Sequence, residues 1–153
     1  MSHCKIEDEL IPPICIQTAP LDAEILRCAA KNTHSGAVLV FEGIARDNSM
    51  GKQVAELSFS AYEPMAISQL EAIRVEAIEK FSLDVCFIHH RVGVVAPGEA
   101  AVVIVCASKH RAESLGATAW LLDELKERVP IWKQEIYASA PPAWVEGKFC
   151  VGR

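Results

Sequence analysis

Apolar residues recur along the chain in two rhythms, and each predicts its own kind of element. Residues 54–62 alternate apolar and polar positions, as a half-buried strand does, and residues 14–18 form a shorter strand candidate. Residues 36–43 show the unbroken pattern of a buried strand ending in glycine. Two further strands, 85–94 and 100–107, are joined by the Pro-Gly turn of Ala96-Pro-Gly-Glu99. The second rhythm is a spacing of three and four. Pro20-Leu21-Asp22 opens a helical stretch that runs through Lys31 with Ile25, Leu26 and Ala29 on one face. Met65, Leu70, Ile73, Ala77 and Ile78 place a second helix over 65–81. The clearest helix carries Leu115, Thr118, Leu122, Leu125 and Val129, with Ser108 as its expected N-cap and Pro130 as its stop. Residues 131–137 read as a last short strand, and the polar, turn-rich stretch 44–52 predicts a mobile loop carrying Arg46.

This order of strands and helices predicts a mixed α+β fold, a single domain with a largely antiparallel sheet. Residues 1–13 mix charge with two prolines and predict a loosely held arm, 14–140 form the folded domain, and Pro141-Pro142 opens a tail over 141–153 containing Trp144. A chain of 153 residues, 51% apolar and 23% charged, has the profile of one globular core.

Charge narrows the function classes. A net charge of −5 argues against non-specific binding to nucleic acid, so any anionic ligand must be held by a local group of cations. The apolar runs are far shorter than the roughly 20 residues that cross a bilayer, and the first residues lack the basic start and apolar stretch of an export signal. No membrane association and a cytoplasmic location are the expectations. The six cysteines are scattered, with no Cys-x-x-Cys pair and no Cys/His grouping at ligand spacing. Reduced thiols are expected, without a metal or a cofactor.

Cations gather at three places: Arg46 with Lys52, Lys109-His110-Arg111, and Lys126 with Lys133. The second falls at the start of the long helix, where free N–H groups and the helix dipole already favour an anion. Cations there oppose the dipole and make sense when a phosphate or carboxylate is bound. Lys126 sits beside Leu122, Leu125 and Val129, so its stem is expected to run along the core edge with the ammonium at the rim. Lys133 follows just past Pro130, with Ile131, Trp132 and Ile136 expected to pin it, and Glu135 is placed to pair with either lysine. Two converging ammonium groups lower each other's pKa, which suits acid–base work near neutrality. Two solvated surface lysines are the plain alternative. Trp120 and Trp132 are expected to pack, and His89-His90 to be partly buried structure.

One helix separates Arg111 from Lys126 by fifteen residues, or about 22 Å at 1.5 Å per residue. A single small ligand does not span that distance. Either the clusters are separate sites, or a two-fold dimer brings His110 and Arg111 of one subunit to Lys126 and Lys133 of the other.

Several segments carry a resemblance: Gly36-Ala-Val to Gly43-x-x-Arg46, Ala61-Tyr-Glu-Pro-Met65, His90-Arg-Val-Gly93, Ser108-x-His-Arg111, and above all Lys126-x-x-x-Pro-Ile-Trp-Lys-x-Glu135. In this order and spacing, from about Gly36 to Tyr137, they resemble the large-subunit family of molybdopterin synthase, MoaE. The resemblance implies an α/β hammerhead fold and a homodimer within a heterotetramer. Each large subunit would bind a small ubiquitin-like sulfur carrier ending in Gly-Gly. It also implies a sulfurtransferase that moves two sulfurs from the carrier's C-terminal thiocarboxylate to cyclic pyranopterin monophosphate, forming the molybdopterin dithiolene. By the same resemblance Lys126 and Lys133 are the catalytic pair. Arg46, His110 and Arg111 join them in binding anions, and Ile44, Ala45, Gln134 and Glu135 line the pocket. A non-catalytic module binding a phosphorylated metabolite, and a scaffold for a ubiquitin-like partner, are the competing readings.

Overall fold

The computed structural model describes residues 10–145. The arm expected over 1–13 therefore lies, up to residue 9, outside the described residues, as does the tail from residue 146 onward. In chain order the elements are β1 (Ile14–Gln17), α1 (Ala23–Ala29), β2 (Ala37–Ile44), β3 (Asn48–Ser49), β4 (Lys52–Ala61), α2 (Glu63–Phe81), β5 (Leu83–Arg91), β6 (Gly93–Val95), β7 (Ala100–Ser108), α3 (Arg111–Arg128), β8 (Ile131–Tyr137) and β9 (Ala143–Trp144).

Two sheets result. The first has the order β1-β5-β7-β2, and only the β1–β5 pairing is parallel. In the second, β4 pairs with β3, β6 and β8, and β9 pairs with β8, all antiparallel. The expected α+β architecture with largely antiparallel strands is what the chain forms.

β7 lies between β5 and β2 and is buried along nearly its whole length because both of its faces are covered. Val102, Ile104 and Cys106 join Leu70, Ile73, Leu121 and Leu125 in the larger core, under α2 and α3. Val103 and Val105 face the other way, onto Leu26 and Ala30 at α1. An unbroken apolar run is the sequence of a strand covered on both faces.

Local expectations fail in instructive ways. The single strand expected over 85–94 is broken in two: Gly93 takes φ 85°, and the chain leaves the first sheet to pair as β6 with Leu57–Phe59 of β4. The mobile loop expected over 44–52 is instead a hairpin, in which Met50 and Gly51 both take left-handed backbone between Ser49 and its partner Lys52. Backbone bonds from Ala45 N to Glu99 O and from Gly98 N to Ala45 O, at 2.9 and 2.8 Å, tie down its start.

On α3 the buried stripe is Ser114, Ala117, Thr118, Leu121 and Leu125, while the expected Leu115 is 54% exposed. Of the expected stripe, Thr118, Leu125 and Val129 are buried and Leu122 packs against the core; only Leu115 fails, and the small residues Ser114 and Ala117 are buried in the first turns instead. Met65 and Ile25 are likewise exposed where they were expected on inner faces. Ser108 is not the N-cap; His110 holds that position without a side-chain cap. The Ser108 hydroxyl instead donates to the His110 carbonyl at 2.6 Å and meets Ser114 Oγ beneath the helix start.

His89 and His90 are buried structure, as expected. His90 Nδ1 donates to the Arg91 carbonyl at 2.7 Å, its ring lies edge-on to Phe59, and Nε2 has no partner. Burial holds the imidazole neutral, lowering its pKa from 6.5 to about 4 against the opposing pull of the Arg91 carbonyl. His89 shifts in the same direction, again by burial. Below about pH 6.5 the unfolded chain therefore binds a proton that the folded chain refuses until about pH 4. Stability is full above that window and falls through it, by up to about 3 kcal/mol from His90. Thermal melts at pH 7 and pH 4.5 are expected to differ accordingly, with His90→Leu flattening the dependence. A slope unchanged by that substitution would contradict the assignment.

Candidate active site

A cavity of about 250 Å³ opens where β2, β4, β8 and α3 meet. Its apolar inner wall includes Phe41, Val54, Leu57, Phe59, Val102 and Leu122. Among the described residues its polar groups are Arg46, Asn48, Lys126, Lys133 and Glu135, so three cations stand against one carboxylate on a chain that is acidic overall. An anion held there gains charge-assisted hydrogen bonds in a partly desolvated space.

Each polar group is placed by its element. β8 alternates, so Lys133 and Glu135 project from one face, each only 7% exposed, while Trp132 on the opposite face is 40% exposed. Trp132 therefore lies on the strand face away from Lys133. Lys133 and Glu135 instead sit opposite Phe59 and Leu57 of β4. Lys126 lies in the last turn of α3, where the helix dipole favours a cation, one turn after Leu122 on the cavity side. Its neighbour Arg128 is engaged elsewhere, with Glu76 at 2.8 Å and Glu124 at 3.1 Å. Arg46 is exposed beside the pinned and buried Ala45, and Ile44 is exposed at the cavity mouth.

Ile44, Ala45, Arg46, Lys126, Lys133 and Glu135 thus share one cavity. Gln134, His110 and Arg111 do not line it. Gln134 alternates to the other face of β8. His110 and Arg111 open α3 at the end opposite Lys126, both exposed, so one chain alone keeps the two cation groups apart.

The turn that carries Lys109, His110 and Arg111 is held from beneath. Gly36 N donates to Ser108 O at 3.0 Å, and a Cβ added at Gly36 would stand 2.4 Å from the Lys109 carbonyl oxygen. Gly36→Ala is expected to displace this turn and to lower the unfolding free energy by about 1–3 kcal/mol, as overpacking does. Denaturant titration checks the second effect, and the amide resonances of 109–111 the first; a variant as stable as the parent would show that the turn yields freely.

The apolar wall and Asn48 escaped the sequence reading because their residues look like ordinary strand interior and hairpin until the fold brings them together. Among the described residues no group of His, Cys, Asp or Glu is arranged to hold a metal ion, and no helix is long and apolar enough to cross a membrane. Cys15, Cys86 and Cys106 are free thiols, but Cys28 is disulfide-bonded, which departs from the expectation of reduced thiols throughout. Among the described residues no cysteine lines the cavity.

Comparison with known proteins adds an independent line. The family model described as MoaE protein matches residues 16–128. A molybdopterin synthase catalytic subunit of Pyrococcus abyssi is 39% identical over 116 residues, covering 76% of this chain and 78% of that protein. One from Bos taurus is 41% identical over 115 residues, 75% of this chain but only 61% of the longer bovine protein. The crystal structure of molybdopterin synthase from Staphylococcus aureus superposes with a TM-score of 0.80 at 34% identity, covering 86% of this chain and 95% of that one.

Proposed function

The chain belongs to the MoaE protein family, and on that premise we propose that it is the catalytic subunit of a molybdopterin synthase. In this reading it takes two sulfurs from the C-terminal thiocarboxylate of a small ubiquitin-like carrier ending in Gly-Gly. It delivers them to cyclic pyranopterin monophosphate to make the dithiolene of molybdopterin. The observation that carries the proposal is the cavity that joins Arg46, Lys126, Lys133 and Glu135 over an apolar wall.

The chemistry asks for such a place. A cyclic phosphate and a thiocarboxylate are both anions, and an acidic chain receives them only where cations are concentrated. An apolar wall suits the flat pterin ring system. Sulfur arriving on a partner requires no cysteine in the cavity, which suits a lining that contains none among the described residues. Lys126, at the rim, contacts the thiocarboxylate and assists its attack. Lys133, deeper and nearly covered, moves protons as the cyclic phosphate opens.

His110 and Arg111 belong to this reading through a second copy of the chain. A two-fold dimer brings the α3 start of one subunit to the cavity of the other, completing the anion site that the length of α3 keeps apart in one subunit.

Partner binding gives the test. The carrier is expected to bind with its Gly-Gly tail in the cavity, so deleting the two glycines weakens binding by about tenfold or more in calorimetric titration. Equal affinity for the shortened carrier would sink the proposed route of sulfur. Tight binding of the cyclic phosphate with no association of any Gly-Gly carrier would favour a simple metabolite-binding module instead.

A further inference from the structure

Tyr137 stands behind the cavity wall. It is the last residue of β8, on the same strand face as Lys133 and Glu135, and it pairs with Val54, which lines the cavity. The phenol itself does not line that space. Its hydroxyl donates to Glu135 Oε2 at 2.5 Å. The ring has a second partner, because Lys52 Nζ lies 5.2 Å from its centroid, at cation–π distance. Lys52 opens β4 directly after the turn of the hairpin that carries Arg46 and Asn48 at the cavity mouth.

A carboxylate among three cations does not choose its own place. Left to swing, Glu135 folds onto whichever ammonium or guanidinium is nearest and cancels the charge that an anionic ligand needs. With Oε2 held by a fixed donor, one oxygen is committed to the wall and the other is left for the cavity. We propose that Tyr137 is a positioning residue: its hydroxyl fixes the Glu135 carboxylate at the cavity wall, and Lys52 holds the ring in place to do so. The donor persists at neutral pH, because the bond to Glu135, burial and the nearby negative charge all push the Tyr137 phenol above its ordinary value. The role in catalysis rests on the functional reading given above; the Tyr137–Glu135 bond does not.

The chain holds two tyrosines, Tyr62 and Tyr137, which makes a direct test available. In a Tyr62→Phe background, Tyr137 is the single phenol, and its ionisation is followed by ultraviolet absorbance against pH. The transition is expected above the ordinary phenol range and is expected to fall when Glu135→Gln replaces the charged acceptor. A transition that does not move would overturn the bond. For the positioning role, Tyr137→Phe is expected to lower single-turnover dithiolene formation about tenfold with little change in substrate KM. In a Glu135→Gln background the same substitution changes the rate no further, because the group it acts through is already altered. An equal fold-loss in both backgrounds would overturn the positioning role. Absence of dithiolene formation by the parent chain is a different outcome: it removes the functional reading and with it the catalytic half of the proposal, while the phenol titration still decides the bond.

Discussion

Lys126→Ala is expected to lower dithiolene formation by at least about a hundredfold, the scale on which a positioned acid–base or charge-stabilising group acts. Little else in the molecule should change. Lys126 is only partly buried, its neighbours Leu121 and Leu125 anchor α3 in the core, and Arg128 retains its pairing with Glu76 and Glu124. That same pairing prevents Arg128 from standing in for the missing ammonium. Dimerisation, read by light scattering, and the melting temperature should both stay near those of the parent. Near-normal turnover by a folded Lys126→Ala chain would remove Lys126 from the chemistry.

The second large effect is a rescue. Arg111→Ala and Lys126→Ala chains are each expected to be severely impaired alone, because each loses one half of a shared site. When they are mixed and allowed to exchange, half of the dimers contain one chain of each kind. In such a dimer one cavity combines an intact Lys126 with an intact Arg111 from across the two-fold axis, and the other cavity lacks both. Activity is therefore expected to return to about a quarter of the parent value. No return, with exchange verified by a mass-tagged chain, would mean that the two cation groups serve separate sites. The distance along α3 makes this the sharpest structural consequence of the proposal.

The parts of this molecule that sequence patterns reveal are those whose cause is local. β8 begins and ends where expected, over Ile131–Tyr137, since Pro130 ends the preceding helix and the strand then alternates in a short, simple stretch. Asp22 opens α1 by accepting from the backbone N–H groups of Glu24 and Ile25, a capping preference that acts within one turn. Errors arise where a distant contact decides. Residues 85–94 look like one apolar strand, but Gly93 lets the chain turn away to a second sheet whose existence depends on β4 and β8. Leu121 and Leu125 do mark the inner face of α3, but in its first turns the small residues Ser114 and Ala117 are buried where the helix approaches the first sheet, and Leu115 is left exposed.

The site divides along the same line. Lys126, Lys133 and Glu135 are near one another in sequence and across one helix–strand junction, so local pattern brings them out together. The apolar wall needs β2, β4 and α3 to meet, and no single segment announces it. Tyr137 was legible as the end of a strand, but its bond to Glu135 has meaning only once that strand face is known to border a cavity.

The measurement that bears most directly on the proposed function is a defined reconstitution. Purified chain, a carrier whose Gly-Gly terminus is converted to the thiocarboxylate, and cyclic pyranopterin monophosphate are combined with nothing else, and dithiolene is scored together with the carrier consumed. Two carriers spent for each dithiolene formed, with no product when the carrier ends in an ordinary carboxylate, is the predicted result. Binding of the cyclic phosphate without any sulfur appearing on it would contradict the assignment.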